Sequence, residues 1–147
     1  MQFLKNSKKI KNMIYKNIST VRNAIGKILR NNLFGHVDFI AGISRGGLIP
    51  AVLIATELNK PLITLYIDKS DKVYIDRREW ILDKKVLIVD DICRTGKTLS
   101  LMSTLVRMNG ALFVETLTVF CLTDSVFKPD FFIPTNEDIK FLWDHDK

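Results

Sequence analysis

A chain of 147 residues with 47% hydrophobic and 26% charged side chains has the make-up of one globular domain, enough for a single sheet covered by helices. No apolar run approaches the roughly 18 residues that cross a bilayer, and no compact apolar segment follows the first lysines as in a secretory signal. Two cysteines, Cys93 and Cys121, give no metal or disulfide spacing, which points to reduced thiols in a cytoplasmic protein.

The net charge of +6 is unevenly placed: Lys5, Lys8, Lys9, Lys11, Lys16, Arg22, Lys27 and Arg30 all precede Asp38, the first acidic residue. An acid-free basic start has three readings. It binds nucleic acid or an anionic surface, it addresses an organelle, or it is the solvated face of a helix. Ile14, Ile18, Val21, Ile25 and Ile28 recur at helical spacing, which favours the third reading, a basic helical segment over residues 1–34 packing its stripe on the domain.

Asn31-Asn32 and Gly35 break that helix. Residues 37–41 read as a short strand, 42–47 as a loop, and 48–58 as a helix with Pro50 in its first turn. Asn59-Lys60-Pro61 ends it, and 62–67 is β-rich. Residues 68–83 are polar and charged, with Val73 and Ile75 suggesting an exposed ribbon. Residues 86–89 are a near-continuous apolar run, the mark of a central parallel strand. Residues 98–109 read as a helix stopped at Asn109-Gly110, 112–120 as a strand, and 131–133 as an edge strand before Pro134. Strands alternating with helices predict an α/β fold, a central mostly parallel sheet flanked by helices. Ligands of such sheets bind beyond the carboxyl ends of the strands, where loops 42–47 and 90–98 both lie.

"VLIVDDICRTGKTLS" (residues 86–100) suggests a phosphate loop. A nucleoside-triphosphate loop needs a glycine five positions before Gly96-Lys97; Asp91 stands there, and a carboxylate would repel a polyphosphate. The segment has its own logic. Successive strand residues point to opposite faces, so Asp90 and Asp91 make a poor acid/base dyad and better acceptors for two separate donors, such as the vicinal hydroxyls of ribose. A carboxylate there also helps to hold Mg²⁺. A helix cap or solvated strand end explains one aspartate more easily than two. Residues 94–98 form a turn opening a helix, whose free N–H groups and dipole favour an anion. Thr95 and Thr98 add hydroxyls, Gly96 close approach, and Arg94 and Lys97 charge, with solvent as the other place for either. In "AGISRGGLIPA" (41–51), Gly42, Gly46 and Gly47 free the backbone and Arg45 presents a planar cation, a second anion site at a second strand end.

In order and spacing these motifs resemble those of type I phosphoribosyltransferases over residues 37–120, and the short length resembles the small purine (xanthine-guanine and hypoxanthine-like) members. The resemblance implies that Asp90, Asp91 and Arg45 carry catalysis and that Asp91 stands near Mg²⁺. It also implies that Arg94, Thr95, Gly96, Lys97 and Thr98 hold the 5′-phosphate of 5-phosphoribosyl-1-pyrophosphate (PRPP). Ser44, Arg45 and Gly46 would hold pyrophosphate, with a cis peptide at Ser44–Arg45. The implied activity is transfer of 5-phosphoribose to a nucleobase, a 6-oxopurine, in purine salvage. A homodimer is implied as well, with nucleic acid admitted only through the basic N-terminus.

The match departs at two places. Many 6-oxopurine members carry a base-contacting aspartate where Arg94 stands, and Arg94 then either meets the base or faces solvent. "IKFLWDHD" (139–146) resembles the family's C-terminal hood segment, here within 134–147. Ile139 and Trp143 align with base-site positions, and Asp138 replaces a stacking aromatic. Trp143 also reads as core packing. Residues 68–83 correspond to the family's flexible hood, from which Lys72, Arg77 and Arg78 either reach pyrophosphate or stay solvated, and Tyr74 and Trp80 either serve the site or cover the sheet edge. His36 and His145 lack metal-ligand spacing. An alternative from the same residues is a non-catalytic PRPP- or nucleotide-sensing regulator that binds RNA or a protein partner.

Overall fold

The computed structural model describes residues 14–144. Chain order is β1 (Ile14–Lys16), α1 (Ile18–Asn31), β2 (Phe39–Ile43), α2 (Leu48–Leu58), β3 (Leu62–Ile67), β4 (Val73–Ile75), a 3-10 turn (Arg78–Trp80), β5 (Lys85–Cys93), α3 (Lys97–Met108), β6 (Phe113–Leu122), β7 (Phe131–Thr135) and β8 (Ile139–Phe141). Six strands form one sheet in the order β4-β3-β2-β5-β6-β7. All neighbours are parallel except the β3–β4 pair. This is the expected mostly parallel α/β sheet with helices on both faces.

The apolar run of β5 is the centre of the molecule. Leu87 and Val89 pack with α1 and α2 through Val21, Ile25, Ile28, Ala51 and Ile54. Val86 and Ile88 point the other way, to Leu99, Met102 and Val106 of α3. A strand buried on both faces needs no polar alternation, and each such side chain contributes about 1.5–3 kcal/mol of burial. After β2 the chain crosses to β3 on one side, while β5 lies on the other side of β2. The crevice for ligands is therefore at the carboxyl ends of β2 and β5, where the strand order reverses.

Several sequence expectations need correction. The isoleucine stripe does not form one helix from Ile14: that residue begins β1, which pairs in parallel with β8. Asn17 caps α1, its side-chain oxygen accepting the Thr20 N–H at 2.8 Å, so the helix starts at Ile18, itself half exposed. Lys5, Lys8, Lys9, Lys11 and His145 lie outside the described residues. The strand predicted at 86–89 runs to Cys93, because β6 pairs with it residue by residue up to Cys121. Pro134 lies inside β7, tolerated because that strand is at the sheet edge. Among the described residues no helix is long and apolar enough to cross a membrane.

Residues 68–83 are organised by Asp68. Its Oδ1 accepts the Ser70 N–H, the Ser70 hydroxyl and the Lys72 N–H at 2.8, 2.7 and 3.0 Å, and its Oδ2 the Tyr74 hydroxyl at 3.2 Å. Those bonds lead the chain into the β3–β4 hairpin. Tyr74, on the edge strand β4, lies beside Tyr66, while Trp80 lies beside Phe39 at the start of the interior strand β2.

Cys93 and Cys121 are register partners on β5 and β6, and both are buried. Burial, reinforced by the neighbouring Cys93, pushes the Cys121 thiol up to about 11. Both side chains are closed to solvent, Cys93 being 3% and Cys121 0% exposed, so neither thiol should react with a disulfide reagent at pH 8 until denaturant is added. Prompt reaction of two thiols in the native protein would contradict this packing.

Candidate functional site

Asp90 and Asp91 lie inside β5 rather than in the loop after it, and the pleat turns them to opposite faces of the sheet. Asp91 is 7% exposed. Its Oδ1 accepts the Ile92 N–H at 2.7 Å, and its Oδ2 the Trp143 indole N–H at 3.1 Å. Asp90 is half-buried and accepts the Asp91 N–H on Oδ1 at 2.9 Å. Burial, and then the charge of Asp91, pushes the Asp90 carboxyl well above the usual carboxylate range. Burial also raises Asp91, against the opposing hydrogen bonds from Trp143 and Ile92. Such a pair favours a positive charge or hydroxyl donors beside it.

The two glycine-bearing loops meet at this pair. A Cβ on Gly46 would run into the Asp91 carboxylate, whose Cγ would be only 2.9 Å away. Glycine is needed there for close approach, with no unusual backbone angle involved. The Ser44–Arg45 peptide is cis. Ser44 N–H donates to the Leu65 carbonyl at 2.7 Å, so Ser44 is held while the Arg45 side chain stays exposed.

Residues Asp90, Asp91, Arg94, Thr95, Gly96, Lys97 and Thr98 line a single pocket of about 170 Å³, with Thr118 among its other walls. That is smaller than the roughly 300–1,000 Å³ a drug-sized ligand fills, and suits one sugar phosphate. Gly96 has φ 84° and as N-cap brings no side chain; Thr95 Oγ1 accepts the Lys97 N–H at 3.3 Å, and the N–H groups that follow in the first turn remain for an anion. Phe127 braces the turn from outside, its ring 2.9 Å from where a Gly96 Cβ would stand, and its N–H donates to the Thr95 carbonyl at 3.3 Å.

Other sequence-assigned residues have different positions. The Arg94 side chain turns to the C-terminal segment: Nε donates to Asp138 Oδ1 at 2.8 Å and Nη2 to the Ile139 carbonyl at 3.2 Å. Ile139 is buried in the core, so its side chain cannot face a base; what it offers the site is its carbonyl. Trp143 packs as the core reading expects. It stacks on Phe141 at 4.8 Å and packs against the core, while its N–H reaches Asp91. Lys72 lies over Tyr74 and Arg77 over Trp80. With Arg78 they line a separate hollow against Leu105 and Asn109, away from the aspartates. His36 pairs with Glu115 on the surface.

Sequence reasoning missed Phe127 and Thr118. Thr118 is fully buried, and among the described residues its hydroxyl is the buried side-chain oxygen without a hydrogen-bond partner, at a cost of about 1–3 kcal/mol. Its signal was the alternation of Thr116 and Thr118 within a strand that, after Glu115, is otherwise apolar.

Comparison with known proteins agrees with this fold. Residues 12–144 match the family model described as a phosphoribosyl transferase domain. The adenine phosphoribosyltransferase of Campylobacter hominis is 29% identical, over 76% of this chain and 75% of its own length. The orotate phosphoribosyltransferase of Sulfurisphaera tokodaii is 33% identical, over 68% of this chain and 50% of its own. Among solved structures, the purine phosphoribosyltransferase from Pyrococcus horikoshii superposes with a TM-score of 0.78 at 29% identity, covering 92% of this chain and 97% of that one.

Proposed function

The chain belongs to the phosphoribosyltransferase family, and from that premise we propose that it transfers 5-phosphoribose from PRPP to a purine, a 6-oxopurine in the first instance, releasing pyrophosphate in nucleotide salvage. The observation that carries the reading is the convergence on one pocket of two carboxylates and a helix-opening turn, with the Ser44–Gly46 loop packed directly against Asp91.

In this reading the first turn of α3, with Thr95 and Thr98, binds the 5′-phosphate. Asp90 and Asp91 accept the two ribose hydroxyls from opposite faces of the strand, which orients the anomeric carbon toward the Ser44–Gly46 loop. Arg45, exposed and free to swing, meets the departing pyrophosphate. Positioning and charge stabilisation supply the catalysis, with no covalent step on the protein.

The residues fit Mg²⁺. The described residues hold no cluster of three or more His, Cys, Asp or Glu side chains, and Mg²⁺ is commonly held by one or two carboxylates together with substrate phosphates. Asp91, beside the pyrophosphate loop, would contribute the carboxylate, and the ion would neutralise charge on the pyrophosphate. The same reading takes the protein as a cytoplasmic homodimer. Exposed Trp80, Leu82, Leu112 and Phe113 supply apolar surface for a second copy.

A panel of hypoxanthine, guanine, xanthine, adenine, uracil and orotate, each with PRPP and Mg²⁺ and scored by pyrophosphate release, tests the reading. Turnover with a 6-oxopurine is expected, and no turnover with any base would refute it. Arg94→Asp in the same panel is expected to change base preference. Its effect on stability should stay within about 1 kcal/mol, because the Arg94–Asp138 pair is half exposed. Unchanged preference would show that Arg94 does not meet the base.

One observation favours a second reading, a non-catalytic sensor of PRPP or a nucleotide. The Arg94 guanidinium is held by Asp138 and the Ile139 carbonyl, so it occupies space beside the pocket. A PRPP-induced rise in melting temperature without pyrophosphate release from any base would favour the sensor.

A further inference from the structure

Thr118 stands directly opposite Asp90 in the parallel β5–β6 register. Register partners share a sheet face and stand about 4.7–4.9 Å apart, so the Thr118 hydroxyl and the Asp90 carboxylate are neighbours. That hydroxyl is fully buried, lines the pocket and has no hydrogen-bond partner among the described residues. Thr116, two residues earlier on the same face, shows the contrast: its hydroxyl exchanges bonds with Asp130, to the carboxylate and from the N–H, both at 3.1 Å. Buried hydroxyls in folded proteins are almost always satisfied. An orphan at a ligand pocket therefore marks a bond made only in the occupied state. In the structure the Asp90 carboxylate instead accepts the N–H of Asp91 on Oδ1.

We propose that Thr118 is the positioning residue for Asp90: when a ribose 5-phosphate group fills the pocket, the Thr118 hydroxyl donates to the Asp90 carboxylate and fixes it for the sugar hydroxyls. The groups that share the pocket with Asp90, namely Asp91, Arg94, Lys97 and the α3 turn, leave this donor as the one supplied by the neighbouring strand. The proposal rests on the phosphoribosyl reading above, since it needs a sugar diol as the occupant.

The test uses the full chain with Thr118→Val, which keeps the shape and removes the hydroxyl, and Thr118→Ser, which keeps the hydroxyl. PRPP affinity is read from the ligand-induced rise in melting temperature, and KM and kcat from pyrophosphate release. Thr118→Val is expected to be as stable as the parent or more so without ligand, because an unsatisfied buried hydroxyl is gone, yet to bind PRPP about tenfold more weakly, the worth of one hydrogen bond. The loss should fall on KM more than on kcat, and Thr118→Ser should recover affinity. Parental PRPP affinity in Thr118→Val would overturn the assignment, as would a loss that Thr118→Ser does not recover. If the parent itself shows no response to PRPP, the phosphoribosyl reading fails first and the assignment with it.

Discussion

An Asp90→Asn variant is expected to lose phosphoribosyl transfer by about 10²–10³-fold, the scale seen when one preorganised electrostatic group is removed, while folding to a more stable protein. Asparagine has the shape of aspartate, and its carbonyl can still accept the Asp91 N–H that now reaches Oδ1. What disappears is a carboxylate whose ionisation burial opposes, as does the adjacent charge of Asp91. The sign of the pH dependence follows from that raised folded value. The folded state holds the proton more tightly than the unfolded state, so wild-type stability is greatest below the unfolded value of 3.8. It falls as pH rises through the folded value and stays lowered above it. The stability advantage of the variant should therefore be absent near pH 3 and grow toward pH 7. Urea unfolding at several pH values in metal-free buffer, together with a turnover assay, reads both effects. An asparagine variant as active as the parent would remove Asp90 from the mechanism.

The second large effect is at Gly46. A methyl group there would overlap the Asp91 carboxylate. That carboxylate cannot retreat cheaply, since Trp143 and the Ile92 N–H hold its two oxygens. Either the Ser44–Gly46 loop moves away from β5 or Asp91 leaves its partners. Gly46→Ala should thus cost about 1–3 kcal/mol of stability, the range for overpacking a tight contact. It should cost activity out of proportion, about 10²-fold or more, because a displacement of about 1 Å is enough to spoil an aligned site. Activity surviving within a few-fold would mean that the loop and the strand need not touch for function. Gly35, whose Cβ would meet nothing within 4 Å, is the matching control.

Both predictions depend on residues singled out from sequence, and the reason is local. Helix-opening turns need glycine and hydroxyl side chains in fixed order, and a strand buried on two faces must read as an unbroken apolar run. Those constraints act within a few residues, so the 48–58 helix and the 62–67 strand appear in the structure with the bounds read from the chain. The lengths of β5 and β6 were underestimated because their ends are set by each other. Pairing of Cys93 with Cys121 extends a strand past the aspartates, against the local polarity that suggested a loop.

Amino-acid order alone determined the alternation of strands and helices, the two glycine-bearing turns and the carboxylate pair, because each is encoded by neighbours in the chain. Tertiary structure alone decided what those groups touch. It put Gly46 against Asp91, turned Arg94 to Asp138 and brought the Trp143 N–H to the carboxylate. Each of these contacts joins segments tens of residues apart. No periodicity or spacing records such a meeting, since it is settled only when the layers pack.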